Sequence, residues 1–168
     1  SFYESQQTGS YNSSKIILPM VFSIFNPKSV IDLGCGVGTW LDACLKLGVK
    51  DIVGVDGPYV DRKMLKIPEN IFKQYDLRKP FRINKKFDLA MSLEVAEHLP
   101  ASKSRQFVKS LVGLSDVILF SAAIPKQGGA NHINEQWQNY WVNTFLKFDY
   151  RAIDLIRPKV WNNYKIEW

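Results

Sequence analysis

Short β-branched runs alternate with amphipathic stretches along most of the chain. Ile17, Met20, Val21 and Ile24 fall at i, i+3, i+4 and i+7, the spacing of one buried helix face, and Asn26-Pro27 ends that helix. Val30-Ile31-Asp32-Leu33 predicts a first strand, which stops at the turn Gly34-Cys35-Gly36-Val37-Gly38. Leu41 and Leu45 resume helical spacing up to Gly48. Ile52 to Asp56 predicts a second strand closed by Gly57-Pro58, Ile71 to Tyr75 a third, and Phe87 to Leu93 a fourth. Ser102 opens a helix with Phe107, Leu111 and Leu114 on one face, and Val117 to Ala123 predicts a fifth strand at the sheet centre. Trp137, Trp141, Phe145 and Phe148 predict a last helix with all four in the core, and Arg151 to Ile156 a sixth strand. Residues 1–14 are polar, lack a period and predict a mobile arm. Strands alternating with helices argue for a parallel sheet covered on both faces.

At 168 residues the chain has one domain's length. We divide it into an N-terminal arm and helix (1–26) and an α/β domain (27–168). Hydrophobic residues are 46% and charged residues 23%, which excludes intrinsic disorder. No apolar run reaches the roughly 20 residues of a membrane span, and no signal peptide is visible. Two cysteines nine apart, Cys35 and Cys44, form neither a disulfide framework nor a zinc pattern and suit a reducing cytoplasm. The net charge is +6, and residues 61–88 hold nine Lys/Arg against four acids. Such a stretch is either a solvated face or an attractor of phosphorylated metabolites or RNA.

The chemistry begins at the glycine turn. Three glycines between a strand and a helix let a ligand approach the backbone closely, but the G-x-G-x-G spacing is wrong for a dinucleotide fingerprint and argues against a nicotinamide dehydrogenase. Asp56 ends the second strand, where a carboxylate accepts both hydroxyls of a ribose. Asp76-Leu77 follows the third strand, placed to meet an adenine through its amine and its flat ring. Together, Val30 to Gly38, Asp56, Asp76-Leu77 and Phe87 to Ser92 resemble the class I S-adenosylmethionine-dependent methyltransferases, over about Pro27 to Ile156.

That resemblance implies a Rossmann-like, doubly wound, mostly parallel sheet with the cofactor across the carboxyl ends of its strands. The family's closing antiparallel strand is not evident up to Trp168, and we expect it beyond that residue. Asp32, Gly34, Cys35, Gly36 and Trp40 are implied as S-adenosylmethionine-binding residues. Asp56 at the ribose and Asp76 and Leu77 at the adenine, with Gly57 and Leu93, complete the cofactor-binding set. Residues 1–14, with Tyr3 and Tyr11, are expected to fold over the bound cofactor. Cys35 is read as structural.

The acceptor side is expected after the fourth and fifth strands. Glu94-Val95-Ala96-Glu97-His98 and Gln127 to Trp137 are similar to segments of bacterial methyltransferases of surface-polysaccharide and natural-product pathways. Gln127, Asn134, Gln136 and Tyr140 are candidate acceptor contacts. His132, His98 and Glu94 are candidate catalytic groups. Glu94, Glu97, His98 and His132 also resemble the metal site of small-RNA 3′-terminal 2′-O-methyltransferases, a set suited to Mn²⁺, Fe²⁺, Co²⁺, Zn²⁺ or Mg²⁺. At i, i+3 and i+4, the first three share one face if a helix begins directly after the fourth strand. The expected function is O-methylation of a small polar acceptor, a sugar or sugar nucleotide. The rivals are RNA 3′-terminal methylation, with no recognisable RNA-binding module to support it, and a non-enzymatic cofactor-binding module. The sequence leaves the oligomeric state open.

Overall fold

The computed structural model describes residues 2–166, with side chains from residue 9 onward. Its core is a sheet of β1 (Ser29–Leu33), β2 (Asp51–Asp56), β3 (Phe72–Gln74), β4 (Leu89–Leu93) and β5 (Ile118–Ser121) in the order β3-β2-β1-β4-β5. Every pairing among the described strands is parallel. The helices are α1 (Phe2–Ile24), α2 (Thr39–Lys46), α3 (Ser104–Leu114), α4 (Gln138–Leu146) and the single turn α5 (Arg157–Val160).

Period-two alternation sends neighbouring strand residues to opposite faces. Val30, Ile52, Leu89 and Met91 pack with Leu18 and Val21 of α1 and with Trp40, Leu41 and Cys44 of α2. Ile31, Leu33, Val55 and Ala90 pack with Phe107, Leu111 and Leu114 of α3 and with Trp141 and Phe145 of α4. The sheet is therefore doubly wound. Its direction of winding reverses between β1 and β4, where a crevice opens at the carboxyl ends of the strands.

Five expectations need correction. Residues 2–14 are not an arm but the first half of α1, continuous to Ile24. Its buried stripe is Ser14, Leu18 and Val21, whereas Ile24 is 53% exposed: small serines let the helix lie close, and this rotates the stripe away from Ile17 and Ile24. β5 is an edge strand, half-buried throughout, because no strand lies beyond it among the described residues. Trp137 precedes α4 in extended conformation and is 59% exposed, so the helical period starts after it. Residues 151–155 form no strand, and Ile153 and Leu155 are exposed.

The turn after β1 is tied to the end of β2, with the amides of Gly34 and Cys35 both donating to the Val55 carbonyl (2.8 and 3.2 Å). Gly34 has φ +93°, and a Cβ there would lie 2.2 Å from Cγ2 of Val95. The glycine turn and the turn after β4 thus touch across the crevice. Gly34→Ala adds left-handed strain to a steric overlap, and we expect a loss of about 3 kcal/mol in urea unfolding.

Candidate functional site

On the β2 side of the crevice, Asp56 is buried, and its carboxylate organises both flanking turns. Oδ2 accepts the Gly36 amide and Oδ1 the Gly57 amide, each at 2.6 Å. Oδ1 also accepts the hydroxyl of Tyr59. Tyr59 was not singled out from the sequence, although an aromatic three residues after a strand-end acid was a usable signal. A Cβ on Gly36 would meet nothing within 4 Å, so the turn faces open space there.

Asp32 is buried at the end of β1, and its Oδ1 has no hydrogen-bond partner. Burial first, and the nearby Asp56 second, push its carboxyl up to about 8. An orphaned buried oxygen beside an open glycine turn fits a cationic ligand, the chemistry of a sulfonium amino acid. Native Asp32 keeps a proton that the unfolded chain releases near pH 4, so the ligand-free protein loses stability as pH rises from about 4 to about 8. Asp32→Asn is expected to raise the calorimetric Tm of the ligand-free protein at pH 8 and to flatten that slope.

The other implied nucleoside contacts are placed less simply. Both oxygens of Asp76 are held by the Arg78 guanidinium (2.8 and 3.0 Å), which keeps this carboxyl below the usual range. Arg78 must release one oxygen before Asp76 can take an adenine amine. Leu77 is buried beside Phe81, and Leu93 is half-buried at the end of β4. Trp40 is buried in the layer under α1 and α2. Cys35 is buried, and burial pushes its thiol well up, as suits a structural residue.

Across the crevice, Glu97, His98 and His132 bring one ligand atom each within 4.8 Å of one another. Two backbone bonds place them: the Glu97 carbonyl accepts the amides of both Ile133 and Asn134 (2.9 and 3.0 Å), which clamps the loop after β5 to the turn after β4. Glu97 is completely buried with neither carboxylate oxygen partnered, and burial first, then neighbouring Glu94, push it to about 7. The His98 and His132 rings meet edge to face, with centroids 4.9 Å apart. His98 is exposed at its edge, yet partial desolvation, ahead of the nearby His132, moves its imidazole below the usual histidine value. Its Nδ1 lies 3.2 Å from the Asn131 carbonyl, which can only accept, so Nδ1–H donates and Nε2 keeps its lone pair.

Glu94 does not join this group among the described residues. Its left-handed φ of 55° begins a turn instead of a helix, and Oε2 accepts the Gln127 amide at 3.1 Å. Gln127 is exposed and bound to Glu94, whose charge in turn acts on Glu97. Asn134 is buried, its amide bound to the Ala96 carbonyl and the Ser104 hydroxyl, and it accepts from Gln136, so this pair braces the turn from within. Tyr140 reaches the Ala101 carbonyl at 3.5 Å and packs on Trp141. An orphaned carboxylate and two oriented imidazoles fit a divalent cation, and equally a proton acceptor for a hydroxyl.

Comparison with known proteins agrees with the geometry. The sequence profile described as a methyltransferase domain matches residues 4–145. Among solved structures, the methyltransferase domain of bacterial CtHen1-CN is similar at 24% identity over 83% of this chain and 85% of its own, with a TM-score of 0.64. Magnesium protoporphyrin IX methyltransferase from Synechocystis, with bound SAH, is similar at 16% identity over 89% of this chain and 78% of its own, with a TM-score of 0.67. The sugar N-methyltransferase KedS8 from a Streptoalloteichus species is similar at 20% identity over 76% of this chain, with a TM-score of 0.60; the chain spans 55% of that protein. No curated protein matches the sequence. No described helix is long and apolar enough to cross a membrane. With the profile covering most of its length and the crevice built as above, the chain belongs to the methyltransferase-domain family and is an S-adenosylmethionine-dependent methyltransferase.

Proposed function

We propose that the chain methylates a hydroxyl of a small polyhydroxylated acceptor, a sugar or sugar nucleotide of a surface-glycan pathway, in the cytoplasm. The observation that carries this reading is the convergence of Glu97, His98 and His132 opposite the Asp32–Asp56 side of the crevice. Bound S-adenosylmethionine supplies an electrophilic methyl carbon. Asp56 and the Gly36 turn hold its nucleoside in place, and in the metal-free site the open Nε2 of His132 or His98 takes the acceptor's proton. A divalent cation held by Glu97, His98 and His132 would lower the pKa of that hydroxyl and orient it. Most of the rate enhancement comes from holding the oxygen in line with the methyl group. The sugar class is supported by the polar groups around the cluster, Gln127 and Glu94, and by the likeness to KedS8. The free, buried cysteines suit a reducing compartment.

One observation favours a second reading, methylation of an RNA 3′-terminal ribose: CtHen1 is covered over 85% of its domain. Against it, four of the nine basic residues of 61–88 are engaged in ion pairs, Arg62 with Glu69, Arg78 with Asp76, Lys85 with Asp51 and Lys86 with Asp116.

The test is methyl transfer from labelled S-adenosylmethionine to a panel of sugars, nucleotide sugars and short RNAs, with and without chelator. Turnover of a sugar acceptor that stops in chelator and returns with Mn²⁺ is the expected result. Turnover of RNA ends alone overturns the acceptor. Full activity of metal-free protein removes the cation and leaves the histidines as bases. No turnover despite cofactor binding favours a binding module.

A further inference from the structure

Glu135 lies outside the cluster and was not singled out from the sequence, yet the loop after β5 is built around it. Its Oε2 accepts the Lys126 amide at 2.8 Å, and its Oε1 accepts the Gly128 amide at 3.2 Å. The same Oε1 lies 3.1 Å from Nδ1 of His132. The loop bends sharply enough to wrap one carboxylate because Lys126, Gly128, Gly129 and Asn131 all take positive φ. At Gly129 this is compulsory twice over, since a Cβ there would stand 2.4 Å from the His132 ring.

We propose that Glu135 is the positioning residue of the acceptor site, fixing His132 as its Nδ1–H tautomer and aiming the Nε2 lone pair at Glu97 and His98. The logic is directional. The backbone amides of Lys126 and Gly128 can only donate, so the carboxylate they hold is an acceptor, and His132 must give it the Nδ1 proton. Nε2 is then the one ring nitrogen left to bind a cation or take a proton. The Asn131 carbonyl does the same for His98. Both imidazoles are thereby oriented from one loop, the arrangement by which outer partners tune a histidine ligand. This role rests on the proposed function for its consequence in turnover, but not for the tautomer itself.

The experiment has two readouts. Nitrogen-15 NMR of the imidazoles at pH 8, without metal, is expected to show His132 protonated at Nδ1 in the wild type. In Glu135→Gln, whose amide can donate to Nδ1, the ring is expected to become a mixture of tautomers. Co²⁺ titration, with Co²⁺ as the probe, is expected to show affinity about 10–100-fold weaker in Glu135→Gln, with kcat lowered and S-adenosylmethionine affinity unchanged. Wild-type His132 protonated at Nε2, or a variant with unaltered tautomer and Co²⁺ affinity, overturns the proposal. A locked tautomer lost in the variant, in a wild type that binds no Co²⁺, supports the role of Glu135 and overturns the cation alone. The wild-type spectrum decides the tautomer even if the variant does not fold.

Discussion

His132→Ala is expected to lower kcat by about 10²–10⁴-fold while S-adenosylmethionine affinity stays within a factor of a few. The imidazole sits in the loop after β5, clamped to the turn after β4, whereas the nucleoside side of the crevice is built from β1 and β2. Removing the ring takes away one of the three converging groups that form the proposed acceptor site and leaves Asp32, Gly36 and Asp56 untouched. Single-turnover kinetics beside calorimetric cofactor binding separates the two effects. Equal losses of both would mean that the variant has disturbed the sheet; an unchanged kcat would move the chemistry to His98 or elsewhere.

Asp56→Ala is expected to weaken S-adenosylmethionine binding by at least a hundredfold. The carboxylate is the proposed acceptor of two ribose hydroxyls, and hydrogen bonds to a charged group contribute about 1.5–3 kcal/mol each. The same carboxylate also holds the amides of Gly36 and Gly57, so its loss lets the glycine turn relax away from the ligand. Asp56→Asn keeps one acceptor oxygen and should fall between the two. A folded Asp56→Ala protein with wild-type calorimetric affinity would place the ribose elsewhere.

The sheet was legible because its strands are short β-branched runs punctuated by glycine, as at Val30 to Gly34 and Ile52 to Gly57. α1 was legible only in its second half. Its first half carries no apolar period, and the buried positions that lead into Leu18 and Val21 are Ser13 and Ser14, which hydrophobicity does not register. Ile153 and Leu155 alternate as a strand would, but a strand is made by its neighbour, and these residues have none in the described sheet. At the site, the E-x-x-E-H…H pattern pointed to Glu97, His98 and His132, which the fold brings together. Glu94 stands outside the closest group because spacing alone cannot reveal a left-handed φ; its Oε2 accepts from Gln127 while its charge still acts on Glu97. Glu135 was missed because it acts through His132, and only the i, i+3 interval between them hinted at the pair.

The bifurcated carbonyl of Glu97 has a consequence in time. Ile133 and Asn134 lie in a connection without regular structure, where amides ordinarily exchange with solvent quickly. Both are instead bonded to one acceptor inside a buried turn. Their protons should exchange as slowly as those of a sheet, and the loop after β5 and the turn after β4 should open together or not at all. On the proposed reading, an acceptor would then meet two segments of fixed spacing, so its shape, more than the motion of the loop, would set which hydroxyl reaches the methyl group.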